Sequence, residues 1–465
     1  MKRYILLLLL TSALHNSNAQ SGVADNWFFG VLCGMKFSST VAVAIPSSMY
    51  TNEGCSGISD SSGSPLFYTD GVTVWNHLNT AMPNGTGLMG SPSATQSALI
   101  VPDPASNSEY YIFTVTETGG PDGFRYSKVD MLQQTGNGDV TTKNVAVKPD
   151  VTEKLTAVMN RSTGNYWVAV HENNSDGFYI YQLSPTGLAA PVVSNTGIVH
   201  NNSVIQNTYG QMKFNTCGNR IALAAGYLDV VEIFDFNLTT GVVSNPVSLP
   251  IGSHVYGVEF SNSGRYLYVS CYDPLGTLLQ FDLMPGNAPG ILATKTALSQ
   301  TPDIYGLQLA NNQKIYVCKS FSQFMGTIDN PEGPGLLANY IDANVFLDPN
   351  STGSTSSLSL PGFVTSTLGI KGPCLVTSVS ENTEEQNQLL YPNPAINSFH
   401  IMMPYAGTDL YIYDSLGKLI KYKTGLSQGN NLVPLNNIDA GVYTVAFESK
   451  GRWHHQQLIK INEAN

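Results

Sequence analysis

The chain has 465 residues, more than one ordinary domain needs, with 42% hydrophobic and only 12% charged residues and a net charge of −11. That apolar share excludes global disorder. The acidity argues against nucleic acid or anionic lipid as a partner, since neither would find a cationic footprint. The 43 Gly, 25 Pro, 24 Tyr and 18 Phe, set among Asn- and Ser-rich turns without any long 3.6-residue apolar period, point to an all-β chain.

The N-terminus is expected to be a signal peptide over residues 1–19. Lys2 and Arg3 precede the apolar run Ile5 to Leu10, and Ser17-Asn18-Ala19 supplies a small-x-small cleavage pattern before Gln20. The run is far short of the roughly 20 residues that span a bilayer. No Cys stands near the cut, and no later stretch is long and apolar enough to cross, so no transmembrane anchor is expected. Cleavage removes two cations and leaves −13, while Leu389 to Ile461 carries six Lys/Arg against four Asp/Glu. The acidity therefore belongs to the region before that stretch.

Six cysteines, at 33, 55, 217, 271, 318 and 374, are widely spaced and match no zinc pattern. Export permits disulfides. Cys271 and Cys318 lie in apolar strand-like runs and read as buried thiols, whereas Cys33 with Cys55 is the pair best placed to bridge.

Three central segments repeat. YGQMKFNTCGNRIALAAG starts at Tyr209, YGVEFSNSGRYLYVSCYD at Tyr256 and YGLQLANNQKIYVCKSF at Tyr305, with starts 47 and 49 residues apart. Each opens on Tyr-Gly, alternates as a strand, turns, and continues as a more apolar strand. Looser copies start at Glu53, Gln96 and Lys154. A single four-strand unit exposes both faces, and packing such units around an axis buries them. A repeat of this length is blade-sized. Residues 20–377 are therefore expected to form a seven-bladed β-propeller. Six units come from the repeats. The seventh is shared by NWFFGVLCGMKF from Asn26 and FVTSTLGIKGPCLV from Phe363. A pair of β-sandwiches is the alternative, and the regular period disfavours it.

The stretches NWFFGVLCGMKF, EGCSGISDSSGSPLFYTDGVTVWN, MPNGTGLMGSPSATQSALIVPDP, YYIFTV and LPGFVTS resemble propeller-like modules of secreted, often multidomain, proteins of gliding or type IX-secreting Gram-negative bacteria. The repeats also resemble lactonase-type and surface-layer seven-bladed propellers. Neither resemblance implies a particular chemistry.

Residues 378–388, SVSENTEEQNQ, are polar and acidic and read as a linker. Beyond them, Pro392 and Pro394 flank Asn393 in an extended lead-in. LYIYDSLGKLIKY reads as a hairpin with its turn at Asp414 to Gly417. Gly441 precedes the alternating VYTVAFE, and Leu458 to Ile461 reads as a last strand, so a small β-sandwich is expected. These residues resemble the type A C-terminal sorting domain of the type IX secretion system. The motif positions are Tyr391, Pro392, Asn393 and Pro394, then Asp414, Gly417 and Lys418, then Gly441 and Tyr443. The match runs over 389–465, with RWHHQQ at 452–457 standing where the family has a shorter polar turn. The resemblance implies export across both membranes by the type IX machinery. Its sortase then removes the domain, and the cargo is attached at the cell surface or released. The alternative is an ordinary accessory β-sandwich such as a carbohydrate binder.

The cargo carries no GxSxG, HExxH, P-loop or EF-hand pattern, so no cofactor or metal site is expected. Asp60 and Asp70 sit in turn contexts. His171, His200 and His254 are scattered and read as structural. One constellation stands out: Asn207, His254 and Asp303 each precede Tyr209, Tyr256 and Tyr305 by two residues, with Glu53 and Gln96 at comparable points. Ring symmetry would gather them at one channel mouth, as a polar pocket with aromatic walls suited to a sugar or peptide. Plain blade packing by the tyrosines is the simpler reading. The sequence thus favours a non-enzymatic surface or secreted binding protein, an adhesin or glycan binder. A hydrolase or lactonase acting at the channel mouth through His254 and Asp303 is the alternative, and a purely structural part of a surface complex is a third reading.

Overall fold

The computed structural model describes residues 22–38, 41–201, 204–273, 276–368, 390–403, 406–414, 418–449 and 452–462. The expected signal peptide, the linker, Cys374 and Gly417 lie outside them. The chain divides into two compact units, Met1–Thr377 and Ser378–Asn465. No helix among the described residues is long and apolar enough to cross a membrane.

The first unit is a seven-bladed β-propeller. Six blades follow the six sequence units. The innermost strands of blades 2 to 7 are Ser56–Ser59, Ala98–Pro102, Val151–Asn160, Met212–Phe214, His254–Phe260 and Ile304–Leu309. Each leads outward through consecutive antiparallel neighbours. Blade 4 departs at its rim, where Gly187–Leu188 and Val192–Asn195 both pair with Gly177–Ser184. The turns follow local chemistry: in TCGN and NSGR, Gly218 and Gly264 hold φ of 67° and 75°, where a side chain would be strained.

The inner strands are buried along nearly their whole length because both sheet faces meet a neighbouring blade. Blades 5 and 6, for example, share a core in which Ala222, Ala224 and Val231 meet Val255, Val258 and Phe260. Trp27, Phe37 and Tyr316 join blades 1 and 7, with ring centroids 4.5 to 5.4 Å apart. Truncating one of these fully buried aromatic rings to Ala is expected to cost about 3–5 kcal/mol.

Ring closure joins the two ends, in a form the sequence only partly announces. Asn26–Phe29, Val31–Phe37 and Ala42–Tyr50 make the three-stranded sheet of blade 1. Residues 355–364 bridge to it at Val31; of the expected FVTSTLGIKGPCLV segment, residues 369–376 lie outside the described residues. Thr355 and Val31 exchange backbone hydrogen bonds of 2.9 and 3.1 Å. Leu358 then bridges Asn52 of the blade 1–2 connection and Gly306 of blade 7, and Gly362 N donates to Cys55 O. The segment runs parallel to Ser56–Ser59 and, further on, to Val151–Asn160 of blade 4, so it crosses the axis. It forms bridges rather than a ladder because its backbone partners are shared among several blades.

Cys33, Cys55, Cys271 and Cys318 are free, buried thiols. The expected Cys33–Cys55 bridge is therefore absent. Both residues act as small apolar groups in the core around the closing segment. Cys318 Sγ donates to Ser357 O and Ser359 O of that segment at 3.2 and 3.5 Å. Cys217, for which the sequence suggested no pairing, is disulfide-bonded.

The second unit is a β-sandwich. Leu390–Tyr391, Ser398–Met403 and Gly429–Pro434 form one sheet. Leu419–Leu426, Thr408–Tyr413, Gly441–Ser449 and Arg452–Lys460 form the other, in that order. Alternate residues Phe399, Ile401, Leu410, Ile412, Val445 and Phe447 meet between them. The last strand begins six residues before the expected Leu458, so RWHHQQ is strand rather than turn, paired along its length with Gly441–Ser449.

Candidate functional site

The channel is filled. Gln96, from the lead-in to blade 3, reaches blade 5, its Nε2 donating to Met212 O at 3.0 Å and its Oε1 accepting from Met212 N at 2.7 Å. Gln211 Oε1 accepts from Leu307 N of blade 7 at 3.1 Å. Lys213 Nζ donates to Gln308 and lies 3.6 Å from Glu259, all three being buried. Lys154 Nζ donates to Thr208 O and Tyr209 O at 2.9 and 2.8 Å, and burial lowers its pKa to about 7. These bonds tie blades 3 to 7 to one another through buried side chains.

At the mouth where the inner strands begin, Tyr256 OH donates to Glu53 Oε2 at 2.9 Å, joining blades 6 and 2 across the axis. Glu153 accepts from Thr95 N, Thr95 Oγ1 and Thr118 N at 2.8 to 2.9 Å. Burial, followed by the neighbouring Glu153 charge, pushes the Glu53 carboxyl up to about 8. Glu117, on the loop after the second strand of blade 3, adds to that repulsion. This loop is held in a strained form, with Thr118 at φ 56°.

An aromatic cluster faces these acids. Tyr227 stacks on His254 at 3.9 Å between centroids. Tyr272 stacks on Tyr305 at 5.5 Å, and Tyr256 stands edge-on to Tyr305 at 5.4 Å. Tyr209 feels the charges of Glu153, Glu53 and Glu117, which together with its burial raise its pKa. One half of the mouth is thus aromatic, from blades 5 to 7, and the other acidic, from blades 2 to 4.

Of the six residues singled out by the repeat, Tyr209, His254, Tyr256 and Tyr305 come together here. His254 Nδ1 pairs with Asp229 Oδ1 at 2.7 Å. Asn207 is buried, and its amide donates to Asn201 O at 2.8 Å. Asp303 is an exposed left-handed residue at φ 67° whose carbonyl accepts from Ser320 N. Among the described residues, neither makes a hydrogen bond to the tyrosines. Tyr227 and Tyr272 escaped the reading because they stand at or just past the ends of second strands rather than at the start of first ones. The aligned repeats do hold the signal: an aromatic follows or ends each second strand, at Tyr227, Tyr272 and Phe321.

Other polar candidates are structural. Asp60 Oδ1 accepts from Ser62 N and Ser64 N, and Asp70 Oδ1 from Val72 N and Thr73 N, each closing its own turn. Buried His171 gives Nδ1 to Glu172 O at 2.9 Å and is held neutral, its pKa lowered to about 3 chiefly by burial. His200 packs on it at 4.1 Å with both ring nitrogens lacking a hydrogen-bond partner. Among the described residues no group of three His, Cys, Asp or Glu could hold a metal ion.

In the second unit the motif residues are pins. Asn393 Nδ2 donates to Gln457 O at 2.7 Å and its Oδ1 accepts from Ile459 N at 2.8 Å, tying the lead-in to the last strand. Asp414 and Lys418 close the hairpin by two bonds of 2.9 Å. Tyr443 OH donates to Asp439 O at 2.9 Å, locking the turn that ends at Gly441. Tyr391 stacks on His400 at 5.2 Å. The family profile of the secretion system C-terminal sorting domain matches residues 389–462.

The C-terminal unit is a type IX sorting domain. The protein is therefore exported to the cell surface or beyond, and its sorting domain is handled by the type IX machinery. No curated protein matches the chain in sequence. Among solved structures, it is similar to a Bacteroides uniformis protein classed provisionally as a 6-phosphogluconolactonase. That similarity has 13% identity, a TM-score of 0.46, and coverage of 69% of this chain and 96% of the other. A Bacteroides fragilis counterpart gives 11%, 0.47, 72% and 96%. PorZ, a surface component of the type IX secretion system of Porphyromonas gingivalis, gives 14%, 0.36, 92% and 63%.

Proposed function

We propose that this is a surface-delivered, non-enzymatic binding protein whose ligand seats on the aromatic and acidic mouth of the propeller. The observation that carries this reading is the cluster of Tyr209, Tyr227, Tyr272 and Tyr305 gathered over a closed channel. Aromatic faces beside carboxylates suit a sugar ring or a peptide side chain, stacking on one part and hydrogen-bonding the other. The filled channel favours a rim-bound ligand over a threaded one. The test is to spread the full chain on arrays of glycans and of host-matrix proteins. Selective binding supports the reading, and no binding to either array sinks it.

A hydrolase or lactonase at the same mouth is the second reading, favoured by the Asp229–His254 pair, in which a carboxylate orients an imidazole as it does in many acid–base sites. It requires turnover of an ester or lactone panel that falls by at least about tenfold in His254→Ala. Asp303 has a weaker claim to a role, because its carbonyl closes a turn and its side chain is exposed. Unchanged rates in both His254→Ala and Asp303→Ala would end this reading.

A further inference from the structure

We infer that the mouth holds a linear, uncharged polysaccharide, laid over several sugar rings from blade 5 to the outer strands of blade 7. This rests on the mouth being the binding site and names its ligand class. The observation that carries it is Phe321. Its ring is 54% exposed while its backbone sits at φ 46°, a conformation that is costly for a bulky side chain. The fold imposes that conformation. Phe321 lies in the turn after Ile315–Lys319, the second strand of blade 7. Before it, Ser320 N donates to Asp303 O at 2.9 Å; after it, Ser322 O accepts from Ser356 N of the closing segment at 2.8 Å. Strain of this kind persists where the neighbours over-determine it, and it collects at sites of contact. A ring turned more than half into solvent there does little for the core.

Phe321 extends the aromatic row of the mouth. It takes in blade 7 the place that Tyr227 and Tyr272 take in blades 5 and 6, at or just past the end of the second strand. The bond to Asp303 O sets its turn beside the start of the inner strand that carries Tyr305. Phe324 and Phe346 continue the row outward. They face each other across the third and fourth strands of blade 7, both exposed, with ring centroids 5.1 Å apart. Tyr227 stands exposed at the other end, with His254 stacked on it.

A row of solvent-facing rings suits one ligand class. The flat C–H face of a sugar ring stacks on an aromatic ring, and successive sugars of a chain meet successive rings. A peptide is instead read along a strand edge, in a groove or by a charged cluster. Charge selects further. Lys319, two residues before Phe321, is held by Asp342 at 2.6 Å, and Glu117 is exposed at the same mouth. A sulfated or uronic-acid chain would meet a carboxylate there and a cation already paired.

The experiment is native electrophoresis of the full chain through gels that each hold one polysaccharide. Hydroxyethyl cellulose, xyloglucan, galactomannan and starch are the neutral probes; polygalacturonate and chondroitin sulfate are the anionic ones. At least one neutral chain is expected to retard the protein, and neither anionic chain. Oligosaccharides of the retarding polymer, titrated by calorimetry, are expected to gain at least about tenfold in affinity from two rings to six. Phe321→Asn removes the ring and installs a residue that tolerates the left-handed backbone. Its melting temperature is expected to stay or rise while affinity for the six-ring form falls at least about tenfold, a split that a structural role for Phe321 would not give. Tyr227→Ala is expected to lose as much. Affinity that survives Phe321→Asn but falls in Tyr227→Ala would overturn the extended row and leave the mouth as the site. Retardation by an anionic chain alone would overturn the neutral ligand. No retardation in any neutral gel overturns the polysaccharide, and matrix-protein binding lost in Tyr227→Ala would then still leave the mouth as the site. Polysaccharide binding unaffected by both variants would overturn the inference and the mouth together.

Discussion

Glu53 occupies a position that water would normally satisfy and the fold does not. Burial first, and then the facing Glu153, hold its proton up to about pH 8 against hydrogen bonds from Tyr256 and Thr95. In the unfolded chain that proton leaves near 4.5. The folded state thus binds the extra proton between those values. Its contribution to stability is complete below about 4.5 and is lost as pH rises through about 8. Glu53→Gln keeps the shape and removes the titration. The melting temperature of the variant relative to wild type is expected to climb as pH rises from about 5 to about 9. A constant difference across that range would show that Glu53 is not proton-linked. Lys213 makes the opposite kind of case, a buried cation with partners in two other blades. Lys213→Met leaves Glu259 and Gln308 without it and is expected to cost about 3–5 kcal/mol in denaturant unfolding. A loss under about 1 kcal/mol would mean that the network relaxes around the change.

The decisive element is the closing segment. Gly30 holds φ of 58°, and a Cβ there would stand 2.3 Å from Thr355 O. Gly30→Ala therefore strains both ends of the ring and is expected to lower stability by more than about 1 kcal/mol. Gly87, at φ 73° with open space around it, provides the control, since Gly87→Ala carries the backbone strain alone. Equal losses in the two would show that the closure contact adds nothing. Here the sequence was only partly legible. The units starting at Tyr209, Tyr256 and Tyr305 are visible because their strands alternate and their turns carry Gly at fixed offsets. The segment TSSLSLPGFV is too short and too irregular to stand out, because it answers to several blades rather than to one ladder; of the expected closing segment only Phe363 to Leu368 lie among the described residues, and Val364 does bridge to Ala157. The same limit applies at the mouth. Tyr256 and Tyr305 were found because they open repeats, whereas Glu153 and Glu117 meet Glu53 only through the ring.

At the scale of the whole molecule, two halves of different legibility are joined in one chain. The sorting domain could be read from its motifs because several motif residues make a bond that pins the sandwich, as Asn393, Asp414 and Tyr443 do. Deletion of residues 389–465 is expected to leave the propeller behind the outer membrane, with surface signal reduced at least about tenfold in fractionated cells. Undiminished surface display would remove the sorting domain from the route. The propeller is different: its fold follows from periodicity, but the binding role proposed for it rests on side chains that converge from six blades. The most direct measurement of that claim compares the full chain with Tyr227→Ala/Tyr305→Ala on the same glycan and matrix-protein arrays. At equal melting temperature, the double variant is expected to lose the signals that wild type gives. An array pattern unchanged by the loss of both rings would contradict a binding site at the mouth.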